Sequence, residues 1–240
     1  MPRPFLTAEW RYLAILNFRI DPGILRPLVP AGTELDLWRG DALVSMVGFR
    51  FLHTKVLGIG IPFHRDFDEV NLRFYVRSER GGEARRGVTF VREVVPRRAI
   101  AAMARLAYNE PYIALPMRST APHAAHKPHP GTVEYTWKSS AGWNRLAVRA
   151  SGAAELLAEG SEAEFITEHH WGYTRQRDGS TLEYAVHHPR WRIWTVADAE
   201  FNGDVKGMYG TAFIDALTAS PCSALLAGGS PVTVFRPERF

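Results

Sequence analysis

Lysine is nearly missing from this chain. Of 29 cationic side chains among 240 residues, only Lys55, Lys127, Lys138 and Lys206 are amines, and the other 25 are arginine. A mechanism that needs an amine nucleophile has four candidates, whereas planar, bidentate recognition of carboxylates has many. Cysteine is scarcer still. Cys222 is the only one, so an internal disulfide and a cysteine-based zinc site are excluded, a pattern that fits a reducing cytosol. No apolar run approaches the ~18 residues of a membrane span. Arg11 interrupts the first apolar segment too early for a signal peptide, so the expected location is the cytoplasm, with no membrane partner. No Gly-x-Ser-x-Gly elbow, phosphate-binding glycine loop or dinucleotide fingerprint occurs, and no cofactor is expected.

What is present is an ordinary globular composition, with 46% hydrophobic and 22% charged residues, which excludes wholesale disorder. Strand signals dominate. Residues 10–20 alternate, with Trp10, Tyr12, Ala14, Leu16, Phe18 and Ile20 on one face and Arg11, Leu13, Ile15, Asn17 and Arg19 on the other. Asp21-Pro22 opens a short helix. Strands follow at about 33–38 and 42–53 around the Arg39-Gly40-Asp41 turn. Glu69–Arg77 has the cleanest alternation in the chain, and Gly81-Gly82 turns it into a strand at about 86–95. Pro96 opens a helix through about Tyr108. Further strands are expected at about 132–139, 143–151, 173–177, 180–187, 190–201 and 230–236. Ser161 with Glu164 makes a capping box, and Asp178-Gly179 makes a hairpin turn. Ala227–Pro231 reads as a tight turn into the last strand. Many strands with a few short helices give an α+β fold, β-rich and mostly antiparallel, in one domain.

Residues 73–105 carry nine arginines against three glutamates. One reading is an anion or nucleic-acid surface; the other is the solvated face of a hairpin and a helix. The second is preferred, because the segment has no lysine and no interleaved stacking aromatics. No nucleic-acid partner is expected.

Two segments could carry chemistry. If both faces of 69–77 are covered, Glu69, Asn71, Arg73 and Tyr75 line a cavity with acid, amide, guanidinium and phenol. Burial or a neighbouring arginine would then tune the glutamate for proton transfer. If only one face is covered, the same residues form a solvent-facing strand. Tyr108-Asn109-Glu110-Pro111-Tyr112 joins a helix to a strand and either presents side chains to a pocket or is a turn in which Asn109 caps the helix and Pro111 stops it. His123, His126 and His129 lie in a proline-rich loop that presets no metal geometry. The adjacent pairs His169-His170 and His187-His188 can each give at most one ligand on a strand. No metal is expected.

Trp10–Asp21 (WRYLAILNFRID), Leu28-Val29-Pro30, Val47–Phe51 (VGFRF), Phe63–Val76 (FHRDFDEVNLRFYV), Tyr108–Tyr112 (YNEPY) and Gly229–Pro237 (GSPVTVFRP) together resemble the uncharacterised YqjF-like family of the acetoacetate decarboxylase-like superfamily. The resemblance implies a barrel-like, β-rich α+β fold around a central cavity, binding of small oxo acids and assembly into homo-oligomers. It implies Arg11 as the arginine of the first strand and Glu69 as a cavity glutamate. In the decarboxylase branch a helix-end lysine forms a Schiff base with the substrate. The matching stretch here, Leu106–Tyr112, contains no lysine, so imine chemistry is not expected. The resulting expectation is a cavity for a small carboxylate or oxo acid. Glu69 and Glu110 would be catalytic, and Arg11, Asn71, Arg73, Tyr75, Asn109 and Tyr112 would bind the ligand. The activity would be of lyase or isomerase type, or the protein would be a non-catalytic small-molecule binder.

Overall fold

The computed structural model describes residues 3–122 and 131–240. The loop residues His123, His126, Lys127 and His129 lie outside the described residues. The strands are β1 (Pro4–Ile20), β2 (Glu34–Leu35), β3 (Ala42–Val56), β4 (Phe67–Arg80), β5 (Glu83–Val95), β6 (Tyr112–Ala114), β7 (Met117–Ser119), β8 (Thr132–Ser139), β9 (Gly142–Leu156), β10 (Trp171–Arg175), β11 (Thr181–His187), β12 (Arg192–Asn202), β13 (Ser223–Phe235) and β14 (Glu238–Arg239). The α-helices are α1 (Pro22–Leu25), α2 (Arg98–Tyr108), α3 (Glu162–Thr167), α4 (Val205–Tyr209) and α5 (Ile214–Thr218).

Seven strands close a ring. β11, β10, β5, β4, β3, β1 and β13 are successive hydrogen-bonded neighbours, and β13 returns to β11 through Val234 opposite Val186. β13 also carries the sheet onward through β12, β9, β8 and β7. Pairing is antiparallel except where β10 and β6 join β5. Tyr135, Trp137, Leu146 and Val148 of β8 and β9 share a core with Ala14, Leu16, Met46, Leu72 and Phe74. The opposite face of β1, β3 and β4 sends Leu13, Ile15, Val47, Phe49, Phe51, Phe67 and Tyr75 into the ring. These three strands are therefore covered on both sides, and the alternation of 69–77 marks two interiors rather than a core and a surface.

The local signals act as expected at several turns. Arg39 and Gly40 have φ of 50° and 93° and join β2's extension to β3, and Gly81 and Gly82 have 60° and 78°. Asn109 ends α2 in the left-handed region at φ 57°. The Ser161 hydroxyl accepts from Glu164 N at 3.1 Å, while the Glu164 carboxylate accepts from Gly160 N at 2.7 Å. The arginine-rich segment is neither a free basic patch nor simply a solvated face. Arg77 pairs with Glu34, Arg80 and Arg85 with Glu183, and Arg86 with Asp36, so carboxylates from outside the segment absorb much of its charge.

Two expectations fail, the first through a β-bulge. Between Arg11 and Ala14 the register of β1 against β3 slips by one residue, with Tyr12 at φ 53°. An inserted residue reverses which face later side chains take. Trp10 thus shares the ring interior with Leu13 and Ile15, while Tyr12 joins the outer core. The tight turn read at Ala227–Pro231 is also absent, because that stretch lies within β13. Gly229 sits opposite Arg11 at φ 76°, where a Cβ would stand 1.9 Å from the Trp10 carbonyl oxygen. Gly229→Ala is expected to cost on the order of 3 kcal/mol by overpacking and left-handed strain. That loss lowers Tm by about 6–12 °C in a chain of this size, and differential scanning calorimetry measures it.

Candidate functional site

The ring encloses a cavity of about 200 Å³. β4 supplies its polar wall, because the unbroken alternation of that strand sends Glu69, Asn71 and Arg73 inward beside Phe67. Asn71 Nδ2 donates to Glu69 Oε1 at 3.0 Å, and the Tyr112 hydroxyl donates to Glu69 Oε2 at 2.9 Å. Burial pushes the Glu69 carboxyl up to about 7, against the pull of these two hydrogen bonds and of Arg73. Glu110 enters just after the α2 terminus. Its Oε1 accepts from the hydroxyls of Thr174 and of Tyr184, the latter at 2.8 Å. Burial raises Glu110 to about 7, and the nearby Glu69 charge adds to the rise.

A third carboxyl, Glu93 of β5, completes the group. It stands opposite Asn71. Burial, then the charges of Glu110 and Glu69, hold it protonated well above the usual carboxylate range. Three carboxyls thus face one shared space. Among the described residues, Arg73 is the only lysine or arginine that lines it. The Arg73 Nη2 donates to Ile166 O at 3.2 Å, tying the guanidinium to α3. Of the described lysines, Lys55, Lys138 and Lys206 all lie off the lining.

His169 forms part of the inner wall. Its Nε2 lies 3.0 Å from Asp36 Oδ2, and Arg86 Nε donates to the same oxygen at 2.7 Å. Burial drives the imidazole down to about 4 despite Asp36, so it is neutral at physiological pH. The neutral ring donates from Nε2 to the Asp36 carboxylate and leaves Nδ1 as an acceptor. Among the described residues, the buried polar atoms without a hydrogen-bond partner include six on cavity-lining side chains: Trp10 Nε1, Thr54 Oγ1, Asn71 Oδ1, Arg73 Nε, Glu93 Oε2 and His169 Nδ1. Such orphans are rare in folded proteins because each costs the full desolvation of a polar group.

The expected site residues divide. Glu69, Asn71, Arg73, Glu110 and Tyr112 converge on the cavity. Tyr75 points the same way but lies beyond the lining, its hydroxyl 2.5 Å from Ser45 Oγ and its ring against Phe165 and His169. Arg11 is off the lining altogether. The bulge at Tyr12 leaves it on the outer side, where it donates to Glu9 Oε2 at 2.6 Å and to Gly229 O at 3.1 Å. Asn109 lies in a separate recess of about 220 Å³ with Pro27, Thr174 and Arg175, and Glu110 borders both spaces.

Glu93 and Tyr184 went unread in the sequence, and His169 was weighed there only as a metal ligand. Glu93 is hidden by a second bulge. Val88 and Phe90 face the cavity, and simple alternation would then place Arg92 inside; the register slip between Leu72 and Arg73 substitutes Glu93. Tyr184 occupies space that only a glycine opposite it leaves free, since a Cβ on Gly172 would stand 2.1 Å from the Tyr184 ring. His169 and His170 lie in the connection between α3 and β10 rather than on a strand, His169 buried on Asp36 and His170 half-buried 3.3 Å from Glu168.

Comparison with known proteins agrees with this architecture. A model of the DUF2071 family, described as an uncharacterized conserved protein, matches residues 7–230. Uncharacterized protein YqjF of Bacillus subtilis is 28% identical over 197 residues, which cover 80% of this chain and 74% of that one. Acetoacetate decarboxylase of Legionella pneumophila superposes with a TM-score of 0.69 at 13% identity, over 100% of this chain and 88% of its own. The enduracididine biosynthesis enzyme MppR, in complex with pyruvate, gives 0.67 at 14% identity, over 100% and 91%. At these identities the likeness establishes an acetoacetate decarboxylase-like fold. No helix among the described residues is long and apolar enough to cross a membrane.

Proposed function

The chain belongs to the DUF2071 family of uncharacterized conserved proteins, and for this member we propose binding of a small carboxylate or oxo acid, with lysine-independent proton transfer of the lyase or isomerase type. One observation carries the reading. Polar atoms of Asn71, Arg73, Glu93 and His169, all side chains of the cavity lining, are buried without partners, and a ligand with an acidic head and an oxo or hydroxyl group would supply them. Arg73 is placed to hold the ligand carboxylate. Ionised Glu69 is suited to take a proton from the carbon next to the ligand carbonyl, and protonated Glu93 to give one to the carbonyl oxygen, which yields the enol. Glu110, with its carboxyl also near 7, is a second group able to exchange a proton near neutrality. MppR binds pyruvate in one of its structures, which favours the same ligand class on this fold. The same proposal places the protein in the cytoplasm, as a single-domain homo-oligomer.

The test is solvent-deuterium exchange into the carbon beside the carbonyl of pyruvate and its homologues, followed by proton NMR. Catalysed exchange that falls at least 100-fold in Glu69→Gln is expected, the size typical of a lost general base. Binding without exchange would leave a non-catalytic small-molecule binder. Borohydride reduction in the presence of pyruvate should yield no lysine adduct; an adduct on any of the four lysines would replace this mechanism with imine chemistry.

A further inference from the structure

We infer that the ligand is an oxo acid with an apolar tail of medium length, lying along β4 with its carboxylate at Arg73 and its tail toward Phe67. The inference rests on the proposed oxo-acid reading and narrows its substrate class.

The cavity has two unlike ends. Along β4 the inward side chains run Phe67, Glu69, Asn71, Arg73. The last lies six positions along the strand from the first, about 20 Å at the usual rise. The Arg73 end is lined by α3, with Arg73 itself partly buried. Its guanidinium meets the Ile166 carbonyl, and Phe165 and Ile166 of α3 are buried there. The Phe67 end is open. The segment leading into it contributes Ile59 and Ile61 to the lining, and these remain 69% and 42% exposed.

The chemistry follows the same axis. The cation and all three carboxyls stand from Glu69 inward. At the outer end the walls are aromatic, with Phe67 stacked on Phe51 at 4.5 Å and Phe51 in turn 5.9 Å from Trp10. Among the described residues the outer polar groups lining the cavity, Trp10 Nε1, Thr54 Oγ1 and His64, include no carboxylate, lysine or arginine. A three-carbon acid seated on Arg73 would leave the aromatic end without a partner. A second charge at the far end would find no arginine or lysine among the described lining residues, the nearby Arg65 being exposed outside it, and would meet a desolvation cost. An alkyl or aryl tail would bury apolar surface against that wall, and apolar Ile59 and Ile61 at the mouth offer it a path inward.

The experiment is a calorimetric titration of the full chain with pyruvate, 2-oxohexanoate, 2-oxooctanoate and 2-oxodecanoate, with 2-oxooctanedioate as the doubly charged control. Affinity should rise about fourfold per methylene, the factor for complete burial, and the dioate should bind far more weakly than 2-oxooctanoate. Ile59→Asp, at an exposed position that leaves the core intact, should flatten the chain-length slope. Equal affinity for all lengths, or a dioate bound as tightly as the monoacid, would overturn the tail assignment and leave the oxo-acid reading standing. Failure of every acid to bind would remove both.

Discussion

Glu110→Gln is expected to raise the stability of the protein at a pH of about 8 while leaving it nearly unchanged at about 4.5. The sign follows from proton linkage. Burial raises the folded-state Glu110 carboxyl to about 7 from an ordinary value of 4.5. Between those values the folded protein holds a proton that the unfolded chain has released. Stability therefore falls as pH rises through that window and stays low above it. A shift of this size corresponds to about 3 kcal/mol, or about 6–12 °C in Tm for a chain of this length. Glutamine keeps an oxygen able to accept from Thr174 and Tyr184, the two hydroxyls that now meet Oε1, and carries no ionisation cost. The comparison with wild type matters because buried His169 and half-buried His188, both driven down to about 4 by desolvation, act in the opposite sense. They lose stability as pH falls below the ordinary histidine value of 6.5, and their contribution cancels between the two proteins. Thermal melts of both across pH measure the difference. A Gln variant no more stable than wild type at pH about 8 would mean that burial does not raise the Glu110 carboxyl.

The second large effect concerns the cation. Arg73→Met is expected to weaken binding of a small oxo acid by at least ~30-fold, since losing one partner of a buried charge pair costs on the order of 2 kcal/mol or more. The same substitution should move the Glu69 transition upward, because the Arg73 charge is among the influences that lower that carboxyl. A merely structural arginine would change Tm without changing the ligand affinity of the folded protein. Arg11→Met supplies the contrast. Its guanidinium is committed to Glu9 and Gly229 outside the lining, so ligand affinity should stay within about twofold while stability drops. Titration calorimetry on both variants separates the roles.

These contrasts also show where the chain could be read and where it could not. The polar face of β4 was legible because no bulge interrupts Glu69, Asn71, Arg73 and Tyr75, so period-two reasoning carries through the strand. The Asn109 helix end was legible because a left-handed cap has a residue-type signature. Arg11 and Glu93 were misplaced or missed because single-residue bulges at Tyr12 and Val91 reverse the inward face, and neither residue type announces a bulge. The choice between a solvated and a cavity-lining β4 depended on β8 and β9 covering the far side of β1, β3 and β4, a pairing across more than fifty residues of chain that alternation within one strand does not encode. Tyr184 reached the site through the space left by Gly172, which is a tertiary fact. The absence of lysine from 106–112, by contrast, needed no structure to read.

The most direct measurement is a calorimetric titration of the wild-type chain with 2-oxohexanoate at a pH of about 7.5, repeated in two buffers of different ionisation enthalpy. An anion entering beside Glu69 and Glu110, whose carboxyls titrate near 7, should raise both and draw protons from the buffer. The expected result is saturable binding with net proton uptake, lost in Arg73→Met. Binding with no proton uptake, or affinity untouched by Arg73→Met, would contradict a site built from these carboxyls and this arginine.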